Sequence, residues 1–369
     1  MLRMGTPHLR VGNIRNNVGY HTRECVEDRV QTATVDFYTY PLVGPDDWRY
    51  VRETAVVRVH EMQMLSRATL IDMANADSFE TAAGFLTATD YAMPRAGRSF
   101  AEMEDVLRTK RQAVRQLFAD LMLDKPIVRL FKTRDDFANL RLAVRRTLTE
   151  KPLGADYSND GNFPPEQFEK VFEQEDYGLL PDYLQRAVEQ AVLAYYQNKD
   201  IRQIDYAIDS VQEEYNLRRA GWLQSIFLLA LFRIQIDLIN IRTMLRLKFT
   251  ESEQRNVFLK GGYIEPERLR HGIELGYESL GALFFVTPYD RVVETGASYL
   301  ASNNSFLALE QQCDEFLNGY LKTTIVITAG PQPIIAYLLM KEHEIRTVRL
   351  ILTAKKNHLD TRLILDRLA

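Results

Sequence analysis

"DFANLRLAVRRTL" occupies residues 136–148, "DLINIRTMLRLKF" residues 237–249 and "EIRTVRLILTAKK" residues 344–356. Each begins with an acid, has Asn or Thr at the fourth place and Arg at the sixth. Counted from Asp136, Asp237 and Glu344, apolar residues recur at matching places. Nine before stand Ile127, Leu228 and Ile335, and six before stand Leu130, Leu231 and Leu338. One after stand Phe137, Leu238 and Ile345, four after Leu140, Ile241 and Val348, eight after Val144, Leu245 and Leu352. Steps of three, four and seven fall on one stripe of an α-helix. Each copy therefore reads as an amphipathic helix of roughly 20 residues or more.

The polar residues of the repeat are Asp136, Asn139 and Arg141, then Asp237, Asn240 and Arg242, then Glu344 and Arg349. Acid and Arg stand five places apart, about 140° around a helix, so they cannot pair within it. Each is expected to find a partner on a neighbouring helix or in solvent, in a structural role that fixes helix register.

A second module precedes the long helix. Residues 64–91 carry a Ser66 N-cap signal and close on Thr89-Asp90-Tyr91; residues 258–289 share the layout and close on Thr287-Pro288-Tyr289; residues 161–188 are a weaker version. Each reads as two short helices with Pro or Gly at the joints. Three such units predict an all-α fold built by internal triplication. Repeats of roughly a hundred residues are longer than the common helical solenoid repeats of about 34 to 47. The Gly/Pro-rich joints divide the chain into an arm at 1–47 and helical repeats at 48–155, 156–255 and 256–369. Strand signals are few: residues 32–43 alternate weakly, and "TTIVIT" at 323–328 is either a helix continuation or a short extended link.

Composition excludes several classes. The chain has 369 residues, 46% of them hydrophobic and 26% charged, as in an ordinary folded protein. A net charge of −4 gives no global reason for nucleic-acid binding. Cys25 and Cys313 form no disulfide framework, so a reducing compartment is expected. Residues 1–15 lack the apolar core of a secretory signal. The most apolar run, "IFLLALF" at 226–232, ends at Arg233, far short of the ~20 residues of a membrane span.

No phosphate-cradling glycine loop, nucleophile elbow or H-E-x-x-H is written. No two of His8, His21, His60, His271, His343 and His358 stand four apart, so no metal site is expected. Glu61, Asp72, Glu169, Glu173, Glu213 and Glu214 recur on helical stretches, where solvated faces account for them. Tyr183, Tyr195, Tyr196, Tyr206 and Tyr215 gather in the middle unit, and core or interface packing is their common use. Catalytic residues, cofactor and small-molecule substrate are all expected to be absent.

"GPQPIIAYLLMKEHEIRTVRLILTAKKNHL" at 330–359 resembles the C-terminal signature of the V-type ATPase central-stalk component that is called C in prokaryotes and d in eukaryotes. "FLKGGYI", "DLINIRTMLRLK", "DFANLRLAVR" and "LSRATLIDMANADSFETAAGFLTATDYA" are similar to further blocks of that family, in the same order. The resemblance covers roughly residues 48–359, and the arm departs from it. It implies three related helical domains arranged as a funnel about a pseudo-threefold axis. It implies a non-catalytic rotor subunit on the cytoplasmic face of the membrane, a socket between the shaft subunits D and F and the membrane proteolipid ring. Two other classes stay open: a general helical scaffold for protein–protein contact, and an enzyme whose carboxylates meet only in the fold.

Overall fold

The computed structural model describes residues 43–91, 99–149, 157–252, 254 and 257–368. Among the described residues the chain forms fifteen α-helices and no β-strand. Four come first: α1 (Val51–Glu61), α2 (Arg67–Asn75), α3 (Phe79–Gly84) and α4 (Phe100–Leu121). The first acid-bearing helix, α5 (Lys125–Thr149), is followed by α6 (Pro165–Gln174), α7 (Asp182–Asn198) and α8 (Arg202–Trp222). The second, α9 (Ile226–Phe249), leads into α10 (Pro266–Glu274), α11 (Leu280–Phe284), α12 (Asp290–Asn303) and α13 (Leu307–Lys322). The third is α14 (Pro331–Lys356), and α15 (Thr361–Leu368) ends the described chain.

Local chemistry sets many boundaries. Ser66, Ser78, Ser99 and Ser225 each accept a backbone N–H of the first turn of α2, α3, α4 and α9. Ser99 and Glu102 complete a reciprocal capping box. Proline opens α6, α10 and α14, where its missing N–H costs no helical bond. "TTIVIT" resolves as a 3-10 turn over Thr323–Val326 continuing α13, then an extended Ile327.

All fifteen stripe residues of α5, α9 and α14 are buried. Before the acids the three stripes share one core: Ile127, Leu130, Leu228, Leu231, Ile335 and Leu338 belong to the same cluster. Beyond the acids they part. Phe137, Leu140 and Val144 pack with Phe168, Leu184 and Ile208 of α6–α8. Ile241 and Leu245 pack with Leu280, Val293 and Leu309 of α11–α13. Ile345, Val348 and Leu352 pack with Met73, Phe79 and Leu107 of α2–α4. The first halves of the long helices thus share one core, and their second halves end in separate helical neighbourhoods.

The last residues of the arm are seated on the α13–α14 link. Asp46 accepts the N–H groups of Thr328 and Ala329 at 2.8 and 3.2 Å, and the Gln332 amide donates to the carbonyls of Val43 and Pro45. Cys25 and the alternating stretch at 32–42 lie outside the described residues. No helix among the described residues is long and apolar enough to cross a membrane.

Candidate functional site

The acids of the repeat are fully or almost fully buried: Asp136 and Asp237 at 0% exposure, Glu344 at 4%. A buried carboxylate needs donors, and each acid has them from the same kinds of source. In all three the residue just before the N-cap of a short helix donates its backbone N–H: Phe163 to Asp136 at 2.9 Å, Ile264 to Asp237 at 3.0 Å, Leu65 to Glu344 at 2.6 Å. In all three a tyrosine donates its hydroxyl: Tyr183 at 2.8 Å, Tyr289 at 2.8 Å, Tyr91 at 2.6 Å. Asn162 and Tyr263 add a second backbone N–H to the two aspartates, each 26 residues along the chain from its acid. Glu344 has the Lys341 ammonium at 2.6 Å instead, and Lys341 is itself fully buried.

Glycine makes the first two clamps possible. A Cβ on Gly161 or Gly262, the residue before those second donors, would overlap the carboxylate oxygen of Asp136 or Asp237. The Asn of the repeat forms a further paired bond. Asn139 exchanges two hydrogen bonds with the backbone of Ser158, and Asn240 does so with Leu259, in both cases across 19 residues. Thr347, at the third such place, bonds the His343 carbonyl of its own helix.

The arginines point to other helices. Arg141 binds Asp209 of α8 and Arg242 binds Glu310 of α13, each 68 residues on; Arg349 binds Glu104 of α4 at 2.8 Å. The helix before the next long helix is therefore the partner each time. Read from the sequence, each short pair precedes a long helix. The hydrogen bonds tie it to the long helix before it, and the first short pair closes on the last long helix across 253 and 279 residues.

Electrostatics differ among the clamps. Burial pushes the Asp237 carboxyl up to about 7, against the pull of the Ile264 and Tyr263 N–H groups and the Tyr289 hydroxyl. Burial and the neighbouring Glu344 raise Tyr91, and burial and Asp136 raise Tyr183. Tyr183 and Tyr215 lie against Phe137 in the core, whereas Tyr196 is exposed beside Lys199.

Between the three acid-bearing helices lies a cavity of about 330 Å³. Five residues before each acid it is lined by Phe131, Phe232 and Leu339, alike in character. Two before each acid it is lined by Arg134, Gln235 and Glu342, which differ in charge. Glu213 of α8 also faces it; burial lifts this carboxyl to about 7, and Asn216 is its hydrogen-bond donor. Cys313 and His343 line the cavity too, the thiol pushed up to about 12 and the imidazole pushed down, both by burial. A larger cleft of about 610 Å³ runs between α1, α2, α13 and α14, and only one of the three acids, Glu344, borders it. Among the described residues no three His, Cys, Asp or Glu side chains gather as a metal site.

The repeat pattern carried the acids, Asn and Arg of the clamps; Tyr91, Tyr183 and Tyr289 were in view only as module ends or packing tyrosines, and nothing marked the glycines or Lys341 as part of a clamp. For the two aspartates the backbone donors stand at constant intervals of 26 and 27 residues, a signal visible once the segments after Asp136 and Asp237 are aligned, whereas the donors to Glu344 come from 279 and 253 residues before it. Among known proteins, a family model described as ATP synthase (C/AC39) subunit matches residues 54–367. The chain belongs to this family of V-type ATPase C subunits. It is similar to the C subunit of the V-type sodium ATPase of Enterococcus hirae, 24% identical over 318 residues that span 85% of this chain and 96% of that protein.

Proposed function

We propose that the chain is the non-catalytic central-stalk rotor subunit of an ion-translocating V-type ATPase, peripheral on the cytoplasmic face of the membrane. It forms a funnel-shaped adaptor that links a shaft of subunits D and F to the proteolipid ring and carries torque between them. The observation that carries this reading is the cavity bordered by all three acid-bearing helices, with matched apolar and unmatched polar lining. Three like units can surround an axis, whereas a shaft without threefold symmetry needs a lining that differs among them. The clamp residues Asp136, Asn139, Arg141, Asp237, Asn240, Arg242, Glu344 and Arg349 hold this frame rigid and meet no substrate.

On this reading the repeats are three units of one long helix with its clamping helices. The first is α5 with α6–α8 and the second α9 with α10–α13. In the third, α14 is completed by α2–α4 from the beginning of the chain. Closure of the last unit by the first makes a ring of units with no loose end, which suits a part that transmits torque. The shared end of the long helices carries exposed apolar side chains at Leu123, Trp222, Ile226, Ile325 and Val326, and Trp48, just before α1, is exposed as well. This end is assigned to the ring, and the diverging side to the shaft. Affinity-tagged chain recovered from native membranes should bring down D, F and the proteolipid, identified by mass. Recovery of soluble helical proteins alone would favour a general scaffold.

A further inference from the structure

The axial cavity is not electrically even. Glu342 of α14 accepts from Arg115 at 2.7 Å and from Arg134 at 3.4 Å, and Arg111 stands 3.7 Å from it. Arg115 is already committed, since it also binds Asp135 and Asp160 at 3.0 and 2.7 Å. Arg111 and Arg134 therefore share one carboxylate that a better-placed guanidinium already holds, and both are about half exposed, at 44% and 54%. Arg346, one turn along α14 and on the cavity wall, has no ion pair within 4 Å among the described residues. Burial against the cavity wall and the charges of Arg134 and Arg111 push its pKa down from the ordinary arginine value. On the far wall Asp314 has its own cations, Arg367 and Arg242. Beneath the arginines the lining is apolar, with Phe131, Phe232, Leu317 and Leu339.

We propose that Arg134 and Arg346, with Arg111 beside them at Glu342, form a basic wall that receives carboxylate side chains from the helical tip of the shaft, whose apolar residues rest on the phenylalanines below. This deepens the socket reading above and rests on it. The cavity admits a few side chains from a helix end rather than a whole helix. Three guanidiniums around one satisfied carboxylate repel one another in this partly closed site, and acidic side chains relieve that repulsion. Because Gln235 and Ile239 of α9 are uncharged where α5 and α14 carry these arginines, the acids can engage only one side of the socket. The basic wall therefore fixes the angular position of the shaft as well as its grip.

The test is binding of purified D–F pair to the full chain at low and high salt. Arg134→Glu combined with Arg346→Glu should weaken binding by about tenfold or more at low salt and remove most of its salt dependence. Arg134→Lys with Arg346→Lys should bind nearly as wild type. Arg134 and Arg346 are exposed and Arg115 still holds Glu342, so the variants should stay folded, and thermal melts beside the wild type separate lost binding from lost folding. D–F binding unchanged by charge reversal would overturn the basic wall and leave the socket reading standing. Failure of the wild-type chain to bind D–F under any salt condition would overturn both.

Discussion

Tyr289→Phe probes a clamp with the smallest possible change. The ring of Tyr289 is fully buried against Phe316, and its hydroxyl reaches Asp237 at 2.8 Å. Removing one oxygen leaves the packing intact and takes from the carboxylate one of three donors; the Tyr263 and Ile264 N–H groups remain. When Asp237 is ionised, the lost bond is charge-assisted and costs about 1.5–3 kcal/mol; when it is protonated the bond is neutral and costs about 0.5–1.5. Asp237 is raised from the unfolded value to about 7 in the fold, so the folded state holds its proton more tightly. Its contribution to stability is therefore complete below about pH 4 and is lost as pH rises through about 7, at up to about 1.4 kcal/mol per pH unit between the two. Denaturant unfolding followed by circular dichroism at pH 5 and pH 8 should show the variant costing about 1 kcal/mol at the lower pH and about 2–3 at the higher. Equal costs at both values would refute the titration of Asp237, and a cost under about 0.5 kcal/mol at both would refute the clamp itself.

Leu140 is fully buried in the α5–α8 core, so Leu140→Ala should cost about 2–4 kcal/mol in the same unfolding assay. Gly262→Ala should destabilise by more than about 2 kcal/mol, because its Cβ meets Asp237, while Gly221→Ala, with open space around it near the end of α8, should stabilise by about 0.5–1. The Cys313 thiol, buried and pushed up to about 12, should resist alkylation at pH 8 until the chain unfolds, as read by peptide mass mapping.

The helical stripes were legible because burial of Ile127, Leu228, Ile335 and their successors follows the 3.6-residue period, which a sequence states outright. The same geometry excluded a pairing of Arg141, Arg242 or Arg349 with the acid of its own helix and left a neighbouring helix or solvent open; the ion pairs fall on neighbouring helices. Burial of the acids did not, because an acid beside an apolar stripe reads as a wet margin. What makes burial tolerable here is a set of N–H and O–H donors brought in by tertiary packing, at residues 162–163, 263–264, 65, 183, 289 and 91. Tyr91 and Tyr289 were visible as the ends of similar modules, but no local rule links a tyrosine to a carboxylate 253 residues away. The lining of the cavity between the long helices was illegible for the opposite reason. Arg134, Gln235 and Glu342 share a place without sharing a character, so matching the copies to one another discards them.

Coupling of ATP hydrolysis to ion uptake is the property that the proposed torque-carrying adaptor would confer. Membranes from cells lacking the chain, reconstituted into vesicles with and without the purified protein, allow ATP hydrolysis and ion uptake to be measured side by side. Without the chain, ion uptake should stay at background whatever hydrolysis persists, and it should recover in proportion to hydrolysis when the chain is restored. Ion uptake that proceeds at full yield per ATP in its absence would contradict it.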